Sequence, residues 1–105
     1  MPHVFKGLSQ FRADRPWGAV DLGLVEGASV RLHWSDQPYI WHVNDGAEVF
    51  VVITGEVEMR YREDGAEKSV RLVAGDAFFA DHGDSHVAHP VGEARILVVE
   101  KQGSI

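Results

Sequence analysis

The chain has 105 residues, 45% of them hydrophobic, with no cysteine and a formal net charge of −6. That length fits one domain able to bury a core. The missing thiols exclude disulfides and thiolate metal sites, and the acidic balance excludes a broad nucleic-acid surface or attraction to acidic lipid.

The start, Met1 to Gly7, lacks the apolar stretch of a signal peptide. No apolar run reaches the ~20 residues of a membrane span, so a soluble, cytoplasmic protein is expected. Residues 1–18 carry little pattern and are read as an N-terminal arm, with Leu8, Phe11 and Trp17 packing on the body. Arg15-Pro16 breaks any helix there, because the ring of proline disfavours helical geometry in the residue before it. From Ala19 the period becomes two. Val20, Leu22 and Leu24 alternate with Asp21 and Gly23; after a turn at Gly27, Val30, Leu32 and Trp34 alternate with Arg31 and His33. On that pattern His33 belongs to a polar surface. Tyr39 to Val43 reads as strand, with Ile40 on the face of His42, and Tyr39 and Trp41 on the opposite face.

Asn44-Asp45-Gly46 is a hairpin signal, since Asp-Gly supplies the positive φ angles of a tight turn. Glu48 to Ile53 follows, apolar on both faces apart from Glu48, which is the mark of a strand buried on both sides. One face, Glu48, Phe50 and Val52, is expected to line a barrel. Val57, Met59 and Tyr61 alternate with charged residues, and Glu63-Asp64-Gly65 is a second hairpin signal. Strands are expected at Lys68–Val73, Ala77–Ala80, His86–His89 and Arg95–Glu100, leaving 101–105 as a tail. Short strands with turns every few residues and no amphipathic helix define an all-β sandwich or barrel.

The chemistry-bearing residues lie around Trp41–Gly55. His42 and Asn44 are two apart, so on a strand they share one face about 6.6 Å apart, at ~3.3 Å per residue. Glu48 lies just past the turn. The pattern His42-x-Asn44-xxx-Glu48-xxxxxx-Gly55 resembles the first motif of the cupin superfamily, His-x-His-xxx-Glu-xxxxxx-Gly, with Asn44 in place of the second histidine. Gly75, Gly83 and His86 match the second motif, Gly-xxxxx-Pro-x-Gly-xx-His, where Asp81 replaces the usual proline and Pro90 the frequent asparagine. The two motifs together imply a double-stranded β-helix, the jelly-roll barrel of cupins, over residues 19–100.

The resemblance implies one divalent metal ion (Fe, Mn, Ni or Zn) held by His42, Glu48 and His86. Two histidines and a carboxylate leave positions open for water or substrate. Asn44 stands at the fourth ligand position; it is a weak ligand, a hydrogen-bond partner of water or substrate, or the mark of a site that has lost its metal. The other reading of His42 and His86 is a pair of core histidines bonded to neighbouring groups. Ile40, Phe50, Val52, Tyr61 and Ala88 are expected to line a small-molecule pocket. Asp81 and Asp84 orient a ligand histidine or cap the loop, and His82 lies near the pocket mouth or in solvent. The resemblance implies a dioxygenase-, isomerase- or cyclase-like enzyme acting on a small molecule, or a non-catalytic binding or sensing protein with a degenerate metal site. With no lysine or arginine expected inside, a sugar phosphate is less suited than an uncharged or aromatic substrate. Tyr39 and Trp41, facing away from His42, suggest a homodimer interface.

Overall fold

A computed structural model describes residues 1–104. Nine strands are present among these residues: β1 (Gly18–Val25), β2 (Ala28–Ser35), β3 (His42–Val43), β4 (Glu48–Thr54), β5 (Glu56–Glu63), β6 (Ala66–Val73), β7 (Ala77–Ala80), β8 (Ser85–Pro90) and β9 (Ala94–Lys101). They form a five-stranded sheet in the order β1-β2-β9-β4-β7 and a four-stranded sheet in the order β3-β8-β5-β6. Every described pairing is antiparallel, and the chain crosses repeatedly between the sheets, which gives an all-β jelly roll.

Alternation explains the shared interior. On β4 the inward row is Glu48, Phe50 and Val52; on β9 it is Ile96, Val98 and Glu100, paired with β4 as Val52↔Ile96, Phe50↔Val98 and Glu48↔Glu100. The core collects at one end of this row, where Val52, Val57, Met59, Ala94 and Ile96 are wholly buried beneath Phe50, Ala88 and Val98. At the other end the same inward face carries Glu48 and Glu100. The barrel therefore has an apolar base and a polar mouth.

The two hairpin signals end differently. Asp64 and Gly65 both have positive φ and close the β5–β6 hairpin, as a type I′ turn requires. Asn44–Gly46 does not close a hairpin: β3 pairs with β8, and β4 with β7 and β9, so this turn carries the chain from one sheet to the other. The expected strand Tyr39–Val43 is also shorter, since only His42–Val43 is paired.

The reading of β2 is corrected. Its register sets His33 beside Ile96 and Arg31 beside Val98, on the inner face of the sheet. Leu32 and Trp34 point outward yet are buried, because the N-terminal arm lies near that face: Arg12 stacks over the Trp34 ring, and Arg95 donates from Nε to the Phe11 carbonyl at 2.7 Å. A buried apolar outer face and a polar inner face lining the mouth look, in sequence, like an ordinary half-exposed strand with its faces reversed. At the other end, Lys101 continues β9 and Ser104 bonds to Asp45, so 101–104 is joined to the body; Ile105 lies outside the described residues.

Candidate metal centre and cavity

The two sheets bring three distant side chains together. His42 and His86 are directly paired across β3 and β8 on the four-stranded sheet, with ring centroids 4.3 Å apart. Glu48 enters from the first position of β4 on the five-stranded sheet. One donor atom from each of His42, Glu48 and His86 lies within 4.8 Å of the others, so the group can hold a metal ion. Glu48 and His86 are 7% and 2% exposed, an unusual burial for a carboxylate without a cationic partner.

The hydrogen bonds define what each group has left to offer. The His42 Nδ1–H donates to the Ile40 carbonyl at 3.1 Å, which leaves Nε2 unprotonated in the neutral ring. That Nε2 is buried and has no hydrogen-bond partner. Buried polar atoms are rarely left so, and a lone pair without a donor is what a cation would use. His86 Nε2 lies 2.8 Å from Asn44 Oδ1 and 3.1 Å from Glu48 Oε1, both acceptors for one shared proton. An ion bound there would displace that proton. The donor set of two imidazoles and one carboxylate fits a first-row divalent cation.

Asn44 uses both ends of its amide on its neighbours. Oδ1 meets His86, and Nδ2 donates to Glu48 at 3.3 Å. Its backbone is fixed as well, to Asp84 and Gly83 of the loop before His86. Asp84 and Asp81 act within that loop, Asp84 Oδ2 accepting from the Asp81 N–H; this is loop capping. His82 is exposed.

A cavity of about 220 Å³ opens beside the triad. Phe50, Ala88 and Val98 form its floor and belong also to the core beneath. Three expected lining residues lie elsewhere. Val52 is one step deeper on β4, inside the core. Tyr61 is the cross-strand partner of His86, but its ring packs on Phe78, which itself packs on His86, and it does not line the cavity. Ile40 is 58% exposed, because the unpaired segment before His42 does not keep strand alternation. For the same reason Tyr39 faces inward, its ring centroid 5.6 Å from that of His42, and lines the cavity. The outer face expected of Tyr39 and Trp41 does not form; Trp41 lies under the Arg62 guanidinium.

Sequence reading missed seven members of the wall: Trp17, Arg31, His33, Tyr39, Val98, Glu100 and Ser104. Burial holds the His33 pKa below its ordinary value, against the opposing effect of the Trp17 carbonyl, so the ring is neutral near pH 7. Burial, and then the charge of Glu48, raise the Glu100 carboxyl to about 7. Arg31 is exposed at the mouth, its Nε 2.6 Å from Asp21. Only the register of β9 against β4 reveals Glu100.

No protein-family model matches the chain, and no curated protein is detectably similar in sequence. Solved structures do match. A cupin-2 domain protein from Shewanella frigidimarina is 22% identical with a TM-score of 0.76, over 90% of this chain and 88% of the other. A cupin superfamily protein from Desulfitobacterium hafniense is 13% identical with a TM-score of 0.76, over 96% of this chain and 92% of the other. Hydroquinone 1,2-dioxygenase from Sphingomonas is 21% identical with a TM-score of 0.75, over 86% of this chain but 29% of its own length. The chain has the fold of a small cupin. No helix among the described residues is long and apolar enough to cross a membrane.

Proposed function

We propose that this chain binds one divalent metal ion (Fe, Mn, Ni or Zn) through His42, Glu48 and His86 and acts on a small organic molecule in the adjoining cavity. The observation that carries the reading is the buried, partnerless Nε2 of His42 beside the donor atoms of Glu48 and His86. When bound, such an ion polarises a ligand oxygen or activates dioxygen. The chain's own residues do the rest. The Ile40 carbonyl holds the His42 tautomer, Glu48 offsets part of the ion's charge, and Asn44 keeps Glu48 and His86 in register or adds a weak fourth donor. Phe50, Ala88 and Val98 close the floor to water. The fold shared with hydroquinone 1,2-dioxygenase supports an oxygenase among the dioxygenase-, isomerase- and cyclase-like possibilities.

One observation favours a second reading, a non-catalytic small-molecule binding or sensing protein. Asn44 already bonds to both His86 and Glu48, so much of the cluster is satisfied by the protein alone. Metal analysis of protein purified without chelator or nickel resin separates the two. About one ion per chain, lost in His42→Ala and His86→Ala, supports the first; a metal-free wild type that still binds a small ligand supports the second. The homodimer expected from an outward Tyr39–Trp41 face loses Tyr39 to the cavity, and light scattering that finds a monomeric wild type removes it altogether.

A further inference from the structure

Trp17 is an odd residue for its backbone. It is third in a turn, Arg15-Pro16-Trp17-Gly18, closed by the Gly18 N–H donating to the Arg15 carbonyl at 3.2 Å. Its φ is +63°, where a type II turn takes glycine or asparagine. A bulky side chain at positive φ is strained, and such strain persists only where the surroundings enforce it, commonly at functional sites. Glycine would relieve the strain, yet the chain places its glycine one position later.

The surroundings do enforce it. Trp17 Nε1 donates to the Gln37 carbonyl at 2.9 Å, and its own carbonyl accepts from His33 Nδ1 at 2.9 Å. The ring is thereby fixed at the cavity, 5.3 Å from the Tyr39 ring and edge-on to it, and Tyr39 in turn packs on His42. An aromatic wall therefore runs from the arm to a residue of the triad. The His33 bond also commits Nδ1 as donor, so the neutral ring keeps Nε2 as an acceptor in the cavity wall. Opposite lies the apolar floor of Phe50 and Val98.

We propose that Trp17 and Tyr39 are the specificity-determining wall of the cavity and select a ligand built around a single planar ring bearing a hydrogen-bond donor. The inference rests on the reading of the cavity as a ligand chamber. The volume of about 220 Å³ suits one ring rather than two. Aromatic faces favour a planar π-system over a saturated ring of the same size.

The test compares phenol with cyclohexanol by ligand-observed NMR titration. Wild type is expected to bind phenol about five- to tenfold more tightly, an effect of the size aromatic pairs supply. Trp17→Leu should abolish that ratio, and Trp17→Phe should restore most of it, with the metal content of all three unchanged. Trp17→Asn, whose backbone accepts the positive φ, gives the same readout if leucine unfolds the chain. A ratio near one in wild type, or a ratio unaltered in Trp17→Leu and Trp17→Asn, overturns the inference. A wild type that prefers phenol but holds no metal refutes the metal reading and leaves the aromatic wall standing.

Discussion

Gly55 and Gly75 form a controlled pair of substitutions. Both are motif glycines with positive φ, +83° and +95°. Alanine at either position meets the same backbone penalty, about 1–2 kcal/mol, offset by about 0.4–1 kcal/mol from the stiffer unfolded chain. They differ in space. A Cβ at Gly75 meets nothing within 4 Å, whereas one at Gly55 falls inside contact distance of the Glu93 carbonyl oxygen and 3.0 Å from Ala94 Cα. Those are backbone atoms beside β9, which cannot rotate away, so overpacking adds about 2–3 kcal/mol. Gly75→Ala should therefore cost about 1 kcal/mol and Gly55→Ala about 3–4. At about 5 °C per kcal/mol for a domain of this size, the thermal midpoint should fall by about 5 °C and about 15–20 °C respectively. Differential scanning calorimetry reads both. If Gly55→Ala melts no lower than Gly75→Ala, the packing of the β4–β5 crossover against β9 is wrongly understood.

Three further outcomes are expected. Met59→Ala empties a wholly buried site and should cost about 2–4 kcal/mol in urea unfolding; a loss under 1 kcal/mol would mean the base is not close-packed. Glu100, with its carboxyl raised to about 7, stabilises the fold fully below about 4.5 and loses that contribution as pH rises through 7. Thus in chelator-treated protein Glu100→Gln should match wild type at pH 4 and exceed it at pH 8. The shift alone is worth about 3 kcal/mol, reduced to about 1–2 by solvent screening of this half-open group; equal stability at pH 8 would contradict the burial beside Glu48. Chelation should lower the midpoint of metal-loaded wild type, since an ion at 100 times its Kd adds about 2.7 kcal/mol. His42→Ala should show no such drop.

Much of this was legible in the chain itself because alternation and turn chemistry are local. Asp64-Gly65 announced its hairpin, and the row Glu48, Phe50, Val52 announced a strand with one polar end. The resemblance of the segments around His42, Glu48 and His86 to two cupin motifs pointed to the residues that the two sheets bring within reach of one another. What stayed hidden depended on other segments. His33 and Arg31 read as surface because nothing in β2 itself says that Leu32 and Trp34 are buried on the opposite face. Tyr39 read as outward because a two-residue β3 cannot impose alternation on the loop before it. Glu100 reads as an ordinary strand-end carboxylate until the register sets it beside Glu48.

Phe50, Ala88 and Val98 serve two compartments at once, as the ceiling of the packed base and the floor of the cavity. Deepening the chamber by trimming Phe50 would excavate the part that keeps the barrel folded, at about 3–5 kcal/mol out of a typical total of about 5–15. Room for bulkier guests is easier to gain at the rim, where Trp17, Arg31 and Ser104 can change without hollowing the interior. Diversification among barrels built this way should therefore concentrate in the arm and the last residues of the chain, while the depth of the bowl stays nearly constant.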